Sequence, residues 1–186
     1  MNQLRNLKAT PLSPEQLKTF YKKETDKELK VVLLNSIKEN DTIETIFDKG
    51  CFVLFIPVMS SFNGHFVSLF RTREGIFFFD SYANTPKNLF KTIEELGKVQ
   101  LKTHLFEIIK NSKEPCYYNP ILYQSKTDQV ADCGRFAVVN CILFTNHQEQ
   151  DKYYNLVTFN DKIIEFMKTH KLADYDDAIT ALTQNI

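Results

Sequence analysis

Tryptophan is absent from this 186-residue chain, and histidine and cysteine are scarce, at four each. The cysteines stand at 51, 116, 133 and 141 with no CxxC pair, which argues against a disulfide framework or a metal module. Free thiols in a reducing intracellular compartment are expected, with no cofactor and no metal. An excess of one charge is also missing. The 23 basic and 23 acidic residues cancel, so composition gives no push toward nucleic acid or an anionic membrane, although a local basic patch would still permit nucleic acid. The longest apolar run, "CFVLFIPVM" from Cys51 to Met59, is too short to span a bilayer. "MNQLRNLKAT" lacks the hydrophobic core of a secretion signal, so secretion is not expected. Repeats, low-complexity tracts and Gly/Ser linkers are absent too, and the length suffices for a buried core, so one domain over residues 1–186 is expected. Sixteen phenylalanines carry no functional implication.

What is present reads as helices around a strand-rich middle, an α+β domain. "LSPEQLKTFYKK" opens a helix, with Ser13 as cap, Pro14 first and Gln16 closing a capping box. "SIKENDTIETIFDKG" reads as a second helix ended by Gly50. "CFVLFIPV" suits a strand covered on both faces, and "SSFNG" a turn. "HFVSLFR" and "IFFFDSY" flank "TREG" as a hairpin, and "NTPKNLFKTIEELG" follows as a helix capped by Thr85. "VQLKTHLFEII" and "CYYNPILYQ" read as further strands, the second demoted by Pro120 to an edge or a strand end. An apolar central helix from Cys133 and two amphipathic helices, "NDKIIEFMKTH" and "YDDAITALTQ", complete the chain.

The chemistry gathers around Cys133 in "VADCGRF". Asp132 is a good helix cap, and Gly134 permits close approach of a backbone or substrate. A thiol at a helix start meets unpaired N–H groups and the positive dipole end, which favours thiolate and can stabilise an oxyanion. A buried structural cysteine would serve the same position without chemistry. A nucleophile needs a base, and His65 begins a strand beside the "FNG" turn, held by a scaffold yet reachable. His104 reads as part of a strand, and His147 and His170 as exposed. If Arg71 pairs with Ile76, His65 lies opposite Tyr82 with Asp80 as its diagonal neighbour on one face. Such diagonal Cα atoms are about 7–8 Å apart, within reach of an Asp–imidazole hydrogen bond. Asp80 could equally begin the turn "DSYANTP". Gln124 and Gln129 are both candidates for a further donor upstream of Cys133.

In chain order, "FIPV…NGHFVSLF", "FFDSY", a glutamine and "DCGRF" on an apolar helix resemble the cysteine proteases of the adenain and Ulp1 type. Their signature runs His, Asp/Glu/Asn, Gln, Cys. "YNPILYQ" ahead of "CGRF" is most similar to the capsid-maturation proteases of virophages, polinton-type elements and large DNA viruses. The resemblance implies a central mixed β-sheet flanked by helices, with the nucleophile at the N-terminus of a central helix. It implies Cys133 as nucleophile, His65 as base and Asp80 as carboxylate, with an oxyanion hole of Gln124 (alternatively Gln129) and the Cys133 backbone N–H. Residues 125–132 separate Gln124 from Cys133, longer than usual in the family, so a loop insertion is needed. Phe66 stands where the SUMO-protease branch commonly has tryptophan. The implied activity is a monomeric thiol protease that cleaves viral capsid or other structural precursors after a small residue such as glycine. It would work during virion maturation, in the virion and the host-cell cytoplasm. The resemblance also brings in an activating peptide, with Cys116 conceivable in a disulfide to it. The alternatives are a deconjugase for ubiquitin-like modifiers, an acetyltransferase built on the same residues, and a non-catalytic binding protein on the same fold.

Overall fold

Strand β1 (Val31–Leu33) runs parallel to β2 (Cys51–Ser60), which pairs antiparallel with β3 (Asn63–Thr72). Strand β4 (Gly75–Phe79) pairs antiparallel with β3, and β5 (Cys116–Tyr118) adds parallel to β4. The result is a five-stranded mixed sheet in the order β1-β2-β3-β4-β5. It is seen in a computed structural model of the chain that describes residues 6–60, 63–97, 104–127 and 130–184. Residues 61–62 of the "SSFNG" turn and 99–103 of "VQLKTHLFEII" fall outside those residues.

Besides a helical turn at residues 6–8 and a 3-10 turn at Leu34–Ser36, the helices among the described residues are, in chain order, α1 (Pro14–Thr25), α2 (Ile43–Ile46), α3 (Pro86–Gly97), α4 (Leu105–Ser112), α5 (Cys133–Glu149), α6 (Leu156–His170) and α7 (Tyr175–Leu182). The period of two along β2 divides them. Cys51, Val53 and Phe55 join the core formed with α1, α5, α6 and α7. Phe52, Leu54 and Ile56 join a second core with α2, α3 and α4. Both faces of β2 are therefore covered, as its unbroken apolar run requires. The fold is α+β, a central mixed sheet flanked by helices, and none of the described helices is long and apolar enough to cross a membrane.

Helix α1 starts as its sequence predicts. Ser13 Oγ accepts from Gln16 N–H and Gln16 Oε1 accepts from Ser13 N–H. Thr85 Oγ1 likewise accepts from Asn88 N–H at the head of α3. Two expected elements differ. The long helix expected over 36–50 is reduced to α2, because Asp41 Oδ2 accepts from Lys38 N–H to make a local turn and Thr42 then caps Ile43–Ile46 afresh. The strand expected from "VQLKTHLFEII" is, where described, helix α4. Its Leu105, Ile108 and Ile109 recur at helical spacing and are buried together against α2 and α3, which overrides the β-branched bias.

Helix α5 is 17 residues long and buried on nearly every side. A polar pin fixes its height on the sheet: Asn140 Nδ2 donates to Ser68 Oγ at 2.8 Å, and Tyr154 Oη donates to Asn140 Oδ1 at 2.5 Å. At its first turn, a Cβ on Gly134 would lie 3.3 Å from the Phe66 ring and 3.5 Å from Leu17, so glycine lets the head of α5 rest on β3. Phe66 is the neighbour of His65. The packing that seats the helix head thus also sets its distance from that histidine.

Candidate active site

The hairpin register carries His65 to Asp80. Arg71 pairs with Ile76 and the ladder continues to Ser68 opposite Phe79, the register expected. Thr72 and Gly75 also pair, so the tip is the two residues Arg73 and Glu74. His65 Nε2 lies 2.7 Å from Asp80 Oδ1, and the His65 and Tyr82 rings stack with centroids 5.3 Å apart. On its other side His65 pairs with Ile56, and Gly64 makes that approach possible. A Cβ at Gly64 would sit 2.4 Å from the Ile56 carbonyl oxygen and 2.5 Å from the Phe55 ring.

Asp80 is fully buried and held from every side. Its Oδ1 also accepts from Tyr82 N–H at 3.0 Å, and Oδ2 accepts from Asn84 Nδ2 at 2.8 Å. Burial works against its charge, but His65 and these donors outweigh it and hold the carboxyl below its ordinary range. His65 is 8% exposed. Burial opposes its protonation too, yet Asp80 and then the nearby Cys133 side chain push it up to about 10. With Nε2 given to Asp80, Nδ1 is the nitrogen left for the sulfur. Burial, Cys133 and Asp80 push Tyr82 up to about 12, so its phenol stays neutral over the ring.

Cys133 is the first residue of α5 and is partly exposed, whereas Cys51 and Cys141 are buried and Cys116 is exposed. The backbone N–H groups of that first turn belong to the set that a helix leaves without internal partners. Asp132 does not cap the helix through its side chain, contrary to expectation. Its carboxylate turns inward instead, 3.0 Å from Arg135 Nε and accepting from Thr180 Oγ1 at 3.1 Å. The Arg135 contact is close but misaligned for a hydrogen bond. Burial pushes Asp132 up to about 7.

Gln124 is buried, and both its ends are engaged. Ser81 Oγ donates to Oε1 at 2.8 Å, and Nε2 donates to the Val130 carbonyl at 3.2 Å. Its backbone N–H donates to the Ser81 carbonyl. The amide therefore bridges from the neighbour of Asp80 to the approach of Cys133, and Nε2 keeps a second hydrogen to donate. Gln129, the alternative, lies outside the described residues.

No protein-family model matches the chain. Over 164 residues it is 24% identical to an uncharacterized protein, V9, of Sputnik virophage, covering 85% of this chain and 87% of that protein. Among solved structures, a de-sumoylating protease overlaps 98% of this chain and 78% of its own, at 15% identity and a TM-score of 0.38. That overlap is too loose to assign an activity.

Sequence reasoning missed one important residue. Asn119 Oδ1 accepts from Asp80 N–H at 2.8 Å, while its Nδ2 donates to the Asp80 carbonyl at 2.8 Å and to the Ile121 carbonyl at 3.0 Å. It replaces the strand partner that Asp80 loses once β5 has ended. An asparagine ahead of Pro120 at a strand end was the available signal. The other three histidines stand apart from this cluster in sequence and role. His104, expected in a strand, precedes α4 instead, while His147, half-buried, and His170, exposed as expected, each bond a carbonyl one turn back in their own helices.

Proposed function

We propose that the chain, residues 1–186, is one cysteine protease domain with Cys133 as nucleophile, His65 as acid–base and Asp80 as the carboxylate that orients the imidazole. The observation that carries this reading is a buried imidazole held between a fully buried carboxylate and a cysteine at a helix start. The sulfur attacks a peptide carbonyl carbon, and the oxygen takes up the displaced electron pair. The Cys133 backbone N–H and Gln124 Nε2 are the donors for that oxyanion. His65 gives its proton to the leaving amine, then takes one from water as the acyl-enzyme is hydrolysed. No metal or cofactor is needed for these steps.

The substrate reading is a viral capsid or other structural precursor, cut after a small residue such as glycine, by a monomer in the virion and the host-cell cytoplasm. Support comes from the family resemblance of its motifs and from a virophage protein of similar length. Co-expression with candidate capsid proteins, wild type against Cys133→Ala, followed by mass spectrometry of the fragments, tests it. Fragments that end in a small residue and vanish in Cys133→Ala are expected. Cleavage confined to ubiquitin-like fusions would replace the capsid reading with deconjugation, and no Cys133-dependent cleavage of either would remove the protease reading.

A further inference from the structure

Residues 125–132 join Gln124 to Cys133, and a free connection of that length would let the amide wander from the oxyanion. The structure pins it at both ends, largely from one helix. At the start, Asp176 Oδ2 accepts from Ser125 N–H at 3.1 Å. At the end, Thr180 Oγ1 donates to Asp132 Oδ2, and Ala131 N–H donates to the Lys8 carbonyl at 2.7 Å. Asp176 and Thr180 are four apart on α7 and so share one face. Lys8 ties the N-terminal turn to the same helix through Asp174 at 3.3 Å and Asp177 at 2.5 Å. Asp176 is 2% exposed, and its other oxygen has no protein partner among the described residues. The contacts that hold this buried carboxylate are therefore with Ser125, the residue after Gln124, through its backbone N–H and its side chain.

We propose that Asp176 is a positioning residue for Gln124: by fixing Ser125 N–H from α7, it holds the glutamine amide where an acyl oxyanion would form. The inference rests on the protease reading above, in which Gln124 is an oxyanion donor. Its signature is selective. Oxyanion stabilisation acts in acyl transfer and in hemithioacetal formation with a peptide aldehyde, where the S–C bond forms and the carbonyl electron pair moves to oxygen. It does not act when iodoacetamide alkylates the sulfur.

The test uses the full chain as wild type, Asp176→Ala, Asp176→Leu and Asp176→Asn, the first two variants also in a Gln124→Ala background. Measured are kcat and KM on a glycine-containing fluorogenic peptide, Ki for the matching aldehyde, and the alkylation rate of Cys133. Asp176→Ala should lower kcat about 10- to 100-fold and raise Ki in step, with KM and alkylation changed less than about twofold, since removing an oxyanion donor outright costs about 10²–10³ in kcat. Asp176→Asn, which keeps an acceptor for Ser125, should recover most of the loss. On Gln124→Ala, neither Asp176→Ala nor Asp176→Leu should cost more. Asp176→Leu removes the carboxylate without leaving a cavity, so it keeps the test open if the alanine variant folds poorly, and melting curves of both show which variants are folded. Alkylation falling in parallel with kcat, losses that multiply in the double variants, or an unchanged kcat in Asp176→Leu would overturn the proposal. A wild type without Cys133-dependent turnover or aldehyde binding would fail the protease reading itself, a result visible before any Asp176 variant is compared.

Discussion

Replacing Asp80 by asparagine removes the charge beside His65 and keeps the shape. The amide oxygen can still accept from Tyr82 N–H, and Asn84 can turn its own amide to suit. In the wild type the imidazolium survives burial because Asp80 Oδ1 lies 2.7 Å away and Cys133 adds to it, pushing the ring up to about 10. Breaking a buried charge pair from one side costs about 3–5 kcal/mol, and about 1.4 kcal/mol corresponds to one pH unit. The midpoint should therefore drop by roughly 2–4 pH units, into the range of about 6–8. Ring-labelled histidine followed by NMR from acid to about pH 10.5 reads this directly. With the proton lost near neutrality the leaving amine loses its donor, and kcat/KM should fall by about 10²–10⁴. Stability carries the same sign. The raised His65 midpoint contributes stability that is complete below about 6.5 and lost as pH rises through about 10. The lowered Asp80 midpoint contributes stability present above its ordinary 3.8 and lost as pH falls through the lowered value. The melting gap between wild type and Asp80→Asn should thus be widest at mildly acidic pH and close toward both extremes. A wild-type His65 that titrates near its ordinary 6.5, or a midpoint unmoved in Asp80→Asn, would refute the reasoning.

Asn119→Ala removes the three bonds that grip Asp80 and Ile121 and should cost about 2–4 kcal/mol in urea denaturation, with a matching loss of turnover. Gly64→Ala places a Cβ against the Ile56 carbonyl and the Phe55 ring, so β3 must shift at His65; melting should fall and Cys133 alkylation should slow. Arg135→Met leaves the buried Asp132 carboxyl, already pushed up to about 7, without its cation, so the loss of stability should be greater above that pH than below it and largely recovered in the double variant with Asp132→Asn, as chemical denaturation of the two at both pH values will show.

How much of this was legible depended on the range of the interaction that decides each residue. The capping box at Ser13 and Gln16 is written within four residues and formed as expected. The side-chain alternation of β2, β3 and β4 is equally local, and once Arg71 faces Ile76, parity alone brings His65 and Asp80 to one face. Asp132 had the right residue type for a cap, but Arg135 and Thr180 compete for its carboxylate, and Thr180 lies on a helix whose docking the local sequence does not reveal. The same holds for α4, where burial of Leu105, Ile108 and Ile109 against other helices overrode a strand-like composition. Asn119 was hidden for a further reason: its partner is the backbone of Asp80, which any residue type would have supplied.

The pairing of Cys133 with His65 is tested most directly by timed iodoacetamide labelling of the native protein at neutral pH, with each of the four cysteines followed by mass spectrometry. Exposure alone would put Cys116 first, because it is exposed while Cys133 is only partly so. Activation by the imidazole puts Cys133 first, and His65→Ala should abolish that lead. Cys116 labelled ahead of Cys133, with His65→Ala making no difference, would contradict the account.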